Sequence, residues 1–85
     1  MKIGTCGSVE SNDCLITVKE SSGITIHLES IVKEYFCKQI IKVIEDTLKE
    51  LNITDVEVTC IDKGALDYTI RARLITAIER MNKNA

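Results

Sequence analysis

Hydrophobic residues in this chain first alternate with polar ones and then recur at steps of three and four, and the same change of period happens a second time. Between Gly4 and Glu10, Thr5, Cys6 and Val9 favour a strand, against the lower propensity of Gly4 and Gly7. Ser11-Asn12 then suits a two-residue turn, because Asn tolerates positive φ and Asp13 can bond back to the local backbone, which puts Ser11 at an exposed tip. Residues 14–20 are β-rich. After the turn Ser21-Ser22-Gly23, Ile24, Ile26 and Leu28 alternate with Thr25, His27 and Glu29, as in a hairpin with one wet face. Ser30 is a good N-cap type, and Val32, Phe36, Ile40, Val43, Ile44, Thr47, Leu48 and Leu51 follow at helical spacing, predicting an amphipathic helix over 31–51 that stops at Asn52. On its polar face Glu34 stands four residues before Lys38 and Glu45 four before Lys49, the favourable order for ion pairs.

Beyond Asn52, Val56, Val58 and Cys60 alternate with Glu57 and Thr59, as a strand with one buried face would. From Ala65 onward Leu66, Ile70, Leu74, Ala77, Ile78 and Met81 mark a second helix that fades into a polar tail, Asn82-Lys83-Asn84-Ala85. The order β-β-β-α-β-α predicts a small α+β fold in which two helices pack on one face of a mostly antiparallel sheet. No linker, internal repeat or low-complexity segment interrupts residues 1–85, which are expected to form one domain.

Composition narrows the function classes. Hydrophobic residues make up 45% of the 85 positions and aromatics 4%, so the core must be built from Ile, Leu and Val and offers few rings for stacking nucleobases. A net charge of −2 argues against a nucleic-acid partner, which needs a basic face. No apolar run is long enough to cross a membrane, and the first residues lack the apolar core of a signal peptide, so a cytoplasmic setting is expected. Cys6, Cys14, Cys37 and Cys60 show no C-x-x-C spacing, and with His27 as the sole histidine they form no zinc pattern; they read as buried thiols, and no metal is expected. His27 falls on the polar side of its strand with no nucleophile or carboxylate partner in view, so it reads as a solvated surface residue. No paired carboxylates, nucleophile with base or phosphate-binding glycine loop is present, so no catalytic residue is assigned and a stand-alone enzyme is the least supported class.

Two short segments remain. In Asp62 to Leu74, D-K-G-A-L-D-Y-T-I-R-A-R-L, Asp62 could cap a helix, and Lys63, Asp67 and Arg71 would stack as a charge ladder. That account does not explain why Lys63-Gly64-Ala65-Leu66-Asp67 and Arg71-Ala72-Arg73-Leu74 occur together. The combination, with Glu10-Ser11-Asn12-Asp13 near the N-terminus, resembles the acyl carrier protein of bacterial citrate lyase, its gamma subunit. That family usually has Glu-Ser-Gly-Asp at the second segment, and Asn12 in place of Gly still suits a turn with positive φ.

The resemblance implies a carrier that performs no chemistry with its own side chains. Ser11 would bear a phosphoribosyl-dephospho-coenzyme A arm through a phosphodiester, placed there by a prosthetic-group transferase. An alpha subunit, an acyl transferase, would exchange acetyl for citrate on the arm, and a beta subunit, a citryl lyase, would release oxaloacetate and regenerate the acetyl form. Cleavage needs carbanion character on the departing acetyl unit, which a thioester stabilises better than a free carboxylate. Arg71 and Arg73 are candidates for contact with the arm's phosphates or an acidic partner. Two other readings stand beside this one: the carrier of malonate decarboxylase, which uses a related arm, and a non-enzymatic α+β interaction module whose serine stays bare. A conventional acyl carrier is a helical bundle with an Asp-Ser-Leu motif at a helix start, and the β-rich surroundings of Ser11 do not fit it.

Overall fold

A computed structural model describes residues 2–31 and 34–83, and the expected helical position of Val32 lies outside them. The elements follow in the order β1 (Ile3–Gly7), β2 (Cys14–Glu20), β3 (Thr25–Ser30), α1 (Glu34–Glu50), β4 (Val56–Asp62) and α2 (Asp67–Lys83). The strands make one sheet in the order β1-β2-β4-β3. β2 pairs antiparallel with both β1 and β4, whereas β3 runs parallel to β4. The molecule is α+β, with a mostly antiparallel sheet and both helices packed on it.

The hairpin expected between β2 and β3 does not form, because β4 lies between them. Beyond β2, the Ser21 amide donates to the Asp55 carbonyl at 3.1 Å and the Gly23 amide to the Asp55 carboxylate at 3.4 Å. The turn is thereby tied to the residue leading into β4 and carries the chain past that strand. Burial accounts for the order. β2 and β4 are buried at every second position, as central strands are, while β3 has no fully buried residue and takes an edge. Parallel pairing of β3 with β4 requires a crossover, which α1 provides.

One face of the sheet, carrying Cys6, Cys14, Ile16, Val18, Val56, Val58 and Cys60, packs against Ile40, Ile44 and Leu48 of α1 and Ile70, Leu74, Ala77, Ile78 and Met81 of α2. Thr47 is buried too, and its hydroxyl is satisfied by the Val43 carbonyl at 2.7 Å. None of the four cysteines is in a disulfide, and Cys37 is only half-buried; contact with Cys14 and burial push the Cys60 thiol up, which keeps it protonated. Ile24, Phe36, Leu51 and Leu66 were expected on apolar faces but are exposed, since each sits at or beyond the end of its element where the opposite layer no longer covers it.

Helix boundaries follow local hydrogen bonding. Asn52 adopts φ 58°, and the Ile53 amide donates to Leu48 and the Asn52 amide to Lys49, the paired bonds that close a helix with a left-handed residue. Ile31 lies outside α1, and Ser30 is the last residue of β3. Among the described side chains, the pair within α1 is Lys42–Asp46 at 3.9 Å rather than Glu45–Lys49, and the expected Glu34–Lys38 pair falls outside them. α2 continues through Lys83, so Asn82 and Lys83 of the expected tail are helical, while residues 84–85 lie outside the described residues.

Helix α2 lies directly on β1 at Gly4, where a Cβ would overlap the Ala77 carbonyl oxygen and the Met81 amide nitrogen. The lack of a side chain there permits this approach. Gly4→Ala is expected to cost about 1–3 kcal/mol, the range for overpacking a filled core. Urea unfolding checks this as a lowered midpoint, and an unchanged midpoint would contradict the contact.

Candidate functional site

Ser11 sits in the loop between β1 and β2, in a turn closed by the Asp13 amide donating to the Glu10 carbonyl at 3.2 Å. Asn12 takes φ 64° at the third position of this turn, where Gly or Asn is favoured, which accounts for the residue that replaces glycine. Ser11 is exposed, and among the described residues its hydroxyl has no hydrogen-bond partner.

Asp13 holds the turn down. Its Oδ1 accepts from the Cys14 amide at 2.7 Å and its Oδ2 from the Ser8 hydroxyl at 2.8 Å. Ser8 in turn accepts from the Glu10 amide at 3.3 Å. The Arg73 guanidinium closes on the same carboxylate from α2, Nε to Oδ1 at 3.0 Å and Nη2 to Oδ2 at 3.1 Å. This two-point pair joins residues sixty positions apart in sequence and so links the two segments singled out there.

The segment from Asp62 to Leu74 reaches the turn a second time through its backbone. The Asn12 amide donates to the Lys63 carbonyl at 2.8 Å and the Lys63 amide to the Asp13 carbonyl at 2.9 Å, extending the β2–β4 ladder beyond both strand ends. Gly64, at φ 95°, then turns the chain toward α2, a conformation that an L side chain would strain. Asp62 is buried and fully used: its Oδ1 accepts from the Ala65 amide at 2.9 Å and its Oδ2 from the Ser30 hydroxyl at 2.8 Å. It caps the turn leading into α2 rather than the helix itself, since the first helical bonds run from the Thr69 and Ile70 amides to the Leu66 carbonyl.

The expected charge ladder of Lys63, Asp67 and Arg71 does not form, because Lys63 precedes the helix. Asp67 accepts from Gln39 of α1 at 3.0 Å, and Arg71 makes a two-point pair with Glu50 of α1 at 2.7 and 3.0 Å. Of the three residues assigned to the site from sequence, Arg73 thus joins the Ser11 turn directly and Arg71 links the two helices. Ser8, the Lys63 backbone and the Asp13 carboxylate were not assigned. The E-S-x-D pattern contains Asp13, and a search for a basic partner could have found Arg73; nothing in the sequence points to Ser8.

His27 does have a carboxylate partner, contrary to expectation: its Nε2–H donates to Glu57 Oε2 at 3.1 Å, and Glu57 also meets Lys19 at 3.0 Å. The contact depends on β3 lying parallel beside β4, a pairing the sequence analysis did not assign. Lys19 first and His27 second hold the Glu57 carboxyl below its ordinary range. The pair is exposed and contributes little. Among the described residues, no group of three or more His, Cys, Asp or Glu side chains could hold a metal ion, and no helix is long and apolar enough to cross a membrane.

Comparison with known proteins places this arrangement. Residues 2–81 match an acyl carrier family model described as malonate decarboxylase delta subunit (MdcD). The citrate lyase acyl carrier protein of Streptococcus mutans is 54% identical over 76 residues, 87% of this chain and 74% of that one. The chain belongs to the citrate lyase acyl carrier protein family. The Streptococcus uberis member is 51% identical over 94% of this chain and 80% of its own length. Among solved structures, a chain of a Pseudomonas malonate decarboxylase hetero-tetramer in complex with malonate shares the fold, with a TM-score of 0.79 over 94% of this chain and 84% of that chain at 17% identity. The protein is accordingly an acyl carrier rather than an enzyme in its own right.

Electrostatics of the clamp yield a test. Arg73 first, then Ser8 and the Cys14 amide, hold the Asp13 carboxyl below its ordinary value of 3.8. With the folded value below the unfolded one, the clamp contributes fully above about pH 4 and is lost as the pH falls through the folded value. In Arg73→Gln the Asp13 carboxyl should titrate higher, back toward 3.8, as followed by carbon-detected NMR. An unchanged titration would show that Arg73 does not bear on the turn.

Proposed function

We propose that the chain carries acyl groups on a phosphoribosyl-dephospho-coenzyme A arm joined to Ser11 by a phosphodiester, as the carrier subunit of a citrate lyase. The observation that carries this reading is an exposed serine, without a hydrogen-bond partner among the described residues, on a turn fixed from both sides by Asp13–Arg73 and the Asn12–Lys63 ladder. The surroundings suit such a group: among the described residues nothing bonds the hydroxyl, and Asn12 sustains the turn at φ 64°. When attached, the arm supplies a thioester, which favours carbanion character at the acetyl carbon.

The residues of the chain then have three duties. Ser11 is the point of attachment. Asp13, Ser8 and Lys63 fix the direction in which its side chain leaves the domain. Arg73 holds Asp13, so contact between this arginine and the arm's phosphates would share a guanidinium already paired with a carboxylate, and the same applies to Arg71 with Glu50. Tethering makes the acyl group an intramolecular substrate at each site it visits, which raises its effective concentration without tight docking.

The partners in this reading are an alpha acyl transferase, a beta citryl lyase and the transferase that attaches the arm, in the cytoplasm. A carrier of malonate decarboxylase type is the second reading, favoured by the description of the matching family model and by the fold neighbour. The relatives named as citrate lyase carriers, at 51–54% identity, favour the first.

Ser11→Ala is expected to abolish arm attachment and citrate cleavage by the reassembled complex while leaving the thermal unfolding curve unchanged, because the hydroxyl supports nothing in the fold. Full cleavage activity in that variant would remove Ser11 from the mechanism, and activity of the wild-type complex toward malonate in place of citrate would favour the second reading.

A further inference from the structure

A groove of about 330 Å3 runs between α1 and α2, lined by apolar Val43 and Tyr68 together with Asp46, Glu50, Asp67 and Arg71. Three carboxylates there face one guanidinium, and that guanidinium is already engaged by Glu50. Asp67 meets the neutral Gln39 amide, and Asp46 meets Lys42 loosely at 3.9 Å. The groove is therefore anionic in excess above an apolar surface. Its Tyr68 is 72% exposed, and Leu66 and Phe36 at the starts of the helices are 58% and 51% exposed. Through Asp62 and Lys63 the same end of α2 is tied to the Ser11 turn.

We propose that this groove receives a basic segment of a partner subunit, whose lysine or arginine heads reach Asp46 and Asp67 while their stems lie on Val43 and Tyr68. The inference rests on the carrier reading, which requires the domain to visit other subunits. Two other occupants fit worse on charge. The arm's phosphates would meet carboxylates, and a second copy of this chain would bring the same acidic lining to an isologous contact. Charge-led docking is fast and reversible, as a domain serving several sites in turn needs it to be.

Biolayer interferometry of the purified chain against the acyl transferase and lyase subunits of the same host tests the proposal. Tyr68→Ala and Asp46→Lys, both at exposed positions, should raise the Kd for at least one of these subunits by about tenfold or more, the scale of a lost interface anchor. Far-UV circular dichroism and arm loading on Ser11 should stay as in the wild type, Lys83→Ala should bind normally, and wild-type affinity should fall as salt rises. Unchanged Kd in both groove variants, or binding insensitive to salt, overturns the proposal. If the wild type carries the arm and the groove variants dock equally well, the groove assignment alone falls. If the wild type neither carries the arm nor binds either subunit, the carrier reading falls with it.

Discussion

Pairing of β4 with β2 along seven residues, from Cys14 opposite Asp62 to Glu20 opposite Val56, is the constraint on which the rest of the molecule depends. It displaces β3 to the sheet edge and makes α1 a crossover between parallel neighbours. Because the ladder runs on past both strand ends, it also sets the residues after β4 beside the loop before β2. The position of Ser11 thus follows from a strand pairing that buries every second side chain of both strands.

On that frame a single carboxylate does most of the local ordering. Asp13 gathers an amide, a hydroxyl and a guanidinium, and its geometry turns an otherwise ordinary hairpin loop into a fixed platform. With 18% of the carboxylate side chain and 38% of the guanidinium side chain exposed, the pair is partly shielded, and its two-point geometry holds direction better than a single contact could. The two layers of contacts are separate: the apolar layer between sheet and helices forms the core, while the polar cluster on Asp13 holds the turn that contains Ser11.

The periodicity of the sequence located β2, β4, both helices and most of the core, since alternation and helical spacing are local signals. It could not place β4 between β2 and β3, because that order follows from which strand gains most from burial on a central position. The misreading had consequences, as the Glu57 partner of His27 became visible only once β3 and β4 were neighbours. The Asp62–Leu74 segment was legible as a family mark but not as a set of contacts. Its residues divide among a turn cap, a backbone ladder, two links to α1 and the clamp on Asp13, and four of these five reach partners distant in sequence. Phe36, Leu66 and Tyr68 show the reverse limit: pattern assigns the first two to a core that ends before it reaches them.

The central claim is that the turn exists to present Ser11 for covalent loading. Intact-mass measurement of the protein purified from its native host during growth on citrate, followed by peptide mapping, addresses it most directly. The account predicts a mass above that of the bare polypeptide, with the added group on the peptide containing Ser11. A bare mass under those conditions, or a group carried on another residue, would contradict it.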